Sequence, residues 1–175
     1  MNSGCVIVFA AGNENRPLDG VKNGRFSYQG FALHTDVIAV GASNIRDERS
    51  VYSNFGPELA LCAPSSGSPG RRIVTADRRG RDGYAAGDYT FTFGGASSVT
   101  PLVAGLAVLL LSVDGDLTSD EVKKIMMETA DKIDLAQGEY VNGHSPWYGH
   151  GRINAHRALT FAQETPRRCA APANE

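Results

Sequence analysis

The chain has 175 residues, a formal net charge of −2, and 42% hydrophobic and 21% charged residues. That length suits one domain with a sizeable core, and the absence of a basic excess or a charge block argues against nucleic acid as a partner. The longest apolar run, residues 102–111, is well short of the roughly 20 residues needed to span a bilayer, so no membrane partner is expected. Three cysteines, Cys5, Cys62 and Cys169, are odd in number and irregularly spaced, unlike a disulfide framework. Cys5 and Cys62 lie in apolar runs and are expected to be buried thiols. Cys169 lies in a polar tail and is expected to be exposed. No CxxC and no Cys–His grouping points to zinc. The first residues lack a basic n-region and a cleavage site, so no signal peptide is read there and localisation stays open.

Residues 5–11 (CVIVFAA) form a continuous apolar run ending at Gly12-Asn13, which reads as a buried parallel strand followed by a turn. Residues 14–35 are polar and punctuated by Gly and Pro, and read as a surface loop. Residues 36–42 (DVIAVGA) are a second buried strand, 50–57 are turn-rich, and 59–63 (LALCA) are a third strand stopped by Pro64. Residues 64–90, rich in Gly, Ser and Arg, read as a solvated loop with a short strand over 73–76. Residues 97–113 are apolar almost all round, predicting a central buried helix. Pro101 is tolerated only near its start, which places that start at Ser97 or Ser98. Thr118 and Glu121 make a capping box for a helix over 118–134, with Val122, Ile125, Met126, Thr129 and Ile133 on one face. A last short helix is expected over 151–162, and 163–175 read as a flexible tail. Strands alternating with helices predict an α/β fold in which loops at the carboxyl ends of strands meet ligands. Gly12-Asn13 is one such loop.

The stretch from Phe93 to Gly105 carries the chemistry. A glycine pair, Gly94-Gly95, leads into a serine at the start of a buried helix, where unpaired amides and the positive end of the dipole would favour a developing oxyanion. On physical grounds alone, the favoured reading is that Ser97 or Ser98 caps the helix.

This stretch resembles the nucleophile motif of the subtilisin family, Gly-Thr-Ser-x-Ala-x-Pro followed by x-Val-Ala-Gly. Gly95, Ser97, Pro101, Val103, Ala104 and Gly105 match in register, and the proline four residues on singles out Ser97. Ala96 stands where the family usually has Thr, and Val99 where it usually has Ala. The first change is expected to loosen local hydrogen bonding and the second to crowd the helix. Residues 9–14 resemble the family's Ala-Ala-Gly-Asn segment, in which the Asn amide donates to the oxyanion; Asn13 takes that place. Residues 36–42, 52–57, 63–64 and 148–155 resemble further family segments, so the likeness runs to about residue 162.

The resemblance implies an α/β, subtilisin-like three-layer parallel sheet with helices on both faces, incomplete at its N-terminal side. It implies a serine endopeptidase acting on a peptide or protein substrate. Ser97 would be the nucleophile and Asn13 an oxyanion donor, while Ala10, Ala11 and Gly12 would line the cleft. No cofactor is required for that chemistry; structural calcium is common in the family, but no ligands are readable. The family's triad runs Asp, His, Ser. None of His34, His144, His150 or His156 is followed by Gly-Thr, and neither Asp19-Gly20 nor Asp82-Gly83 has the family's Asp-Thr/Ser-Gly setting. The Asp and His are therefore expected in a missing N-terminal half of the same domain, leaving the 175 residues inactive alone. A non-catalytic binding or scaffolding module is the alternative.

Overall fold

The computed structural model describes residues 4–22, 24–67 and 70–164. Three parallel strands form its central sheet in the order β1 (Ile7–Ala10), β4 (Val37–Ser43), β5 (Leu61–Pro64). Ile7 pairs with Val37, and Val40 with Leu61. All seven residues of β4 are buried, as a continuous Val/Ile/Ala run in a central parallel strand should be. β1 is an edge, with Ile7 and Phe9 exposed.

Two antiparallel hairpins lie outside this sheet. β2 (Asp19–Lys22) pairs with β3 (Arg25–Tyr28), and β6 (Ile73–Ala76) with β7 (Tyr89–Phe93). The first corrects the expectation of a plain loop over 14–35. The Asn-Gly pair between its strands is a sequence signal for a two-residue hairpin. The short strand over 73–76 forms as expected, but its partner, the alternating YTFTF, begins inside the segment that reads as loop and runs past its end at residue 90.

Helix α1 (Ala96–Val113) packs on the sheet through Val99, Val103, Leu106 and Leu110, spaced to fall on one stripe. α2 (Ser119–Glu128) adds Val122, Ile125 and Met126 to the same cluster, and α3 (Ala155–Glu164) adds Ala158. The opposite face of the sheet is met by loop residues, with Ala39 beside Ala11, Leu18, Ala32 and Leu59. A third cluster joins Cys62 to Ile133 and Tyr148.

Three further expectations are corrected. α1 is buried on one face only: Leu102, Val108 and Leu109 are exposed, because the strands and other helices cover just its inner stripe. α2 ends at the Thr129 cap instead of reaching residue 134. Beyond it the Asp131 backbone bonds with that of Arg152, and the Asp131 carboxylate collects Asn154, Arg152 and Arg157. Ile133 is still buried, but in the third cluster. Cys5 is exposed beside the edge strand β1, whose own residues Ile7 and Phe9 are exposed, whereas Cys62 in β5 is buried as expected. Cys169 and the tail beyond residue 164 lie outside the described residues.

Candidate active site

Ser97 is the second residue of α1, and its side chain is exposed. The helix has no side-chain N-cap. Its cap position is Gly95, at φ +85°, a conformation that a side chain would strain. The backbone instead turns sharply into the helix, and among the described residues no acceptor pairs with the Ser97 N–H or hydroxyl.

Ser98 sits differently. It is buried, its hydroxyl donates to the Gly95 carbonyl (2.8 Å), and it lies 2.6 Å from the Ser65 hydroxyl. Ser65 also donates to the Gly95 carbonyl (3.0 Å). The Ser66 hydroxyl accepts from the Gly95 N–H at 3.2 Å, and Tyr52 donates to the Ser66 carbonyl at 2.6 Å. The segment after β5 thus clamps the turn before the helix. A Cβ at Gly94 would lie 2.0 Å from the Ser66 hydroxyl, so the clamp closes only on glycine there.

Asn13 follows β1 and is 83 residues away from Ala96, yet its Oδ1 accepts the Ala96 N–H at 2.6 Å. That bond orients the amide: with the oxygen committed, the Nδ2 donor is left without a partner among the described residues. The fold therefore brings together the exposed Ser97 hydroxyl, the Ser97 N–H and the Asn13 amide. The bond to Asn13 comes from the Ala96 backbone N–H, which does not depend on the side chain at that position. Val99 is fully buried within the main core cluster between the sheet and the helices.

Of the remaining cleft residues, Ala10 shares a shallow apolar groove with Ser97 and Pro101, and Gly12 is half-buried. Ala11 faces inward. It is fully buried, its N–H donates to Val40 and its carbonyl accepts from Asn54, so no part of it is free for a ligand. A separate cavity of about 510 Å³ opens from Asn13 and Gly95 toward Tyr52 and Arg72.

None of the four histidines serves Ser97. His34 pairs with Asp36, and the His144 ring bonds the Leu59 carbonyl with its edge to His150. His156 is exposed on α3. Burial, with His144 and Lys132 nearby, holds His150 below the usual imidazole value.

Residues 1–151 match the model of the Subtilase family. The chain belongs to the subtilase family. This subtilase segment is 44% identical over 172 residues to a calcium-dependent protease of Trichormus variabilis, an alignment covering 91% of this chain and 25% of the relative. It is 33% identical over 159 residues to subtilisin NAT of Bacillus subtilis subsp. natto, covering 90% of this chain and 34% of that protein. The chain thus spans about a quarter to a third of the length of these two relatives. The crystal structure of a serine protease of Aeromonas sobria superposes with a TM-score of 0.77 at 23% identity, covering 95% of this chain and 38% of that one. The fold is subtilisin-like, an α/β parallel sheet with helices.

Although one relative is named for calcium, no group of three or more His, Cys, Asp or Glu side chains among the described residues is placed to hold a metal ion. No calcium site is assigned.

The sequence marks Tyr52 and Asn54 only as part of the 52–57 likeness, without a role, and Ser65 and Ser66 not at all; all four brace the loop and turn at the site. Their partners lie 13 to 43 residues away, so no local pattern reveals these bonds.

Proposed function

We propose that this chain supplies the nucleophile and oxyanion-binding part of a serine-type endopeptidase. Ser97 attacks the peptide carbonyl, and the Ser97 N–H and Asn13 Nδ2 receive the oxyanion. The observation that carries this reading is the 2.6 Å bond from the Ala96 N–H to Asn13 Oδ1. It holds the Asn13 side chain by its oxygen at the start of the helix that bears an exposed serine, leaving the uncharged Nδ2 donor unpartnered among the described residues and available for charge that develops in the transition state.

A serine hydroxyl needs an adjacent base to act as a nucleophile. No histidine or carboxylate among the described residues bonds Ser97, so the base and the acid that orients it come from the remainder of the domain. In the assembled site the histidine takes the Ser97 proton and returns it to the leaving amine, and water then releases the acyl-enzyme. The 175 residues alone do not hydrolyse peptides. The chemistry needs no cofactor.

In the complete enzyme, Ser97→Ala abolishes peptide hydrolysis. Asn13→Leu lowers kcat by roughly 10²–10³-fold with KM little changed, which is the known scale for loss of the corresponding asparagine donor in subtilisin itself. Steady-state kinetics on a protein substrate checks both. Activity that survives Ser97→Ala but not Ser98→Ala would overturn the assignment, and hydrolysis by the isolated 175 residues that depends on Ser97 would overturn their inactivity.

A further inference from the structure

The loop that carries Asn13 is held from behind by one side chain. Asn54, in the turn before β5, is completely buried. Its Nδ2 donates to the Ala11 carbonyl at 2.9 Å and to Glu14 Oε2 at 2.7 Å. Its Oδ1 accepts from the N–H groups of Glu14 and Arg16, each at 3.1 Å. Its own backbone N–H donates to the Gly12 carbonyl at 3.1 Å. A primary amide has two donors and two acceptor sites, so every hydrogen-bonding site of the side chain is used on residues that bracket Asn13. The Glu14 carboxylate closes the ring by also accepting the N–H of Asn13 at 3.0 Å. The approach is close enough to exclude a side chain at Gly12, where a Cβ would lie 2.4 Å from Asn54 Nδ2.

We propose that Asn54 and Glu14 are positioning residues for catalysis, fixing the Asn13 backbone so that its Nδ2 stands where the oxyanion forms. This rests on the reading of Asn13 as oxyanion donor. The physical reason is preorganisation. A donor contributes most when it is already aimed at the developing charge, and displacement by about 1 Å can cost about 10²-fold. Asparagine is required because one group must donate to a carbonyl and a carboxylate while accepting from two amides. An aspartate of the same size would set a buried carboxylate against the Glu14 carboxylate and the Ala11 carbonyl.

The test is a double-mutant cycle in the complete enzyme. Asn54→Asp lowers kcat by about 10–100-fold with KM within about twofold. In an Asn13→Leu background the same change costs less than about twofold, because the group it positions is gone. Glu14→Gln, at a surface side chain, lowers kcat several-fold without moving Tm, and serves if Asn54→Asp does not fold. Equal losses in both backgrounds, or an effect confined to KM, would overturn the proposal, as would a Glu14→Gln enzyme with unchanged kcat. If Asn13→Leu itself left kcat intact, the oxyanion reading would fail first and this proposal with it.

Discussion

At the scale of single residues, environment decides which of two identical groups can react. Ser97 and Ser98 are adjacent, but Ser98 is spent on Ser65 and the Gly95 carbonyl while Ser97 faces outward. The cysteines divide the same way. Burial pushes the Cys62 thiol well above its ordinary value, with Arg152 opposing only in part, whereas Cys5 is exposed. Because the thiolate is the reactive form, a disulfide reagent applied to the native protein modifies Cys5 and leaves Cys62 untouched until denaturant is added. Mass spectrometry of the labelled peptides reads this directly, and native labelling at Cys62 would refute it. Apolar neighbours in sequence foretell Cys62 correctly and Cys5 wrongly, since a run of apolar residues does not say whether its strand lies at the centre or the edge of the sheet.

At the scale of elements, the start of α2 and the end of α1 are legible in the sequence, while the end of α2, the start of α3 and the hairpins are not. The Thr118–Glu121 capping box forms as expected: the Thr118 hydroxyl accepts the Glu121 N–H, and the Glu121 carboxylate accepts the Thr118 N–H at 2.8 Å. Thr118→Ala should therefore destabilise the domain by about 1 kcal/mol, seen as a lower denaturation midpoint with an unchanged slope. The end of α2 is misread because periodicity continues through Ile133, while a tertiary bond between the backbones of Asp131 and Arg152 pulls the chain out of helix. β7 escapes notice because its outward aromatics Tyr89, Phe91 and Phe93 sit in a Gly-rich and Arg-rich setting.

At the scale of the whole molecule, His150 and Asp131 each tie stability to pH on the acid side. Burial disfavours charge on His150, so its folded value lies below the unfolded 6.5. The stability this provides is complete above about pH 6.5 and is lost as pH falls below it, because the unfolded imidazole takes up a proton that the folded one resists. Asp131 adds a second, lower step. Burial alone would raise its carboxyl, but hydrogen bonds from Asn154, Arg157 and Arg152 outweigh that and hold it low. Its contribution is present above the unfolded carboxylate value and disappears as pH falls toward the folded one. Melting temperature recorded against pH should fall in two stages, with His150→Gln removing the upper stage and Asp131→Asn the lower. An unchanged profile in His150→Gln would show that another group titrates there.

The sequence alone determined the parallel strands, the capped helix, the family and the two segments that meet at the site, because buried runs, caps and helix starts are local patterns of side-chain chemistry. Only the tertiary structure decided that Asn13 is held by the Ala96 N–H, that Ala11 faces the core, that Ser98 is occupied, and that Asn54 braces the loop from 40 residues away. Those are hydrogen bonds between segments distant in sequence. Such pairings depend on where the sheet and helices set each backbone, and no spacing along the chain encodes them.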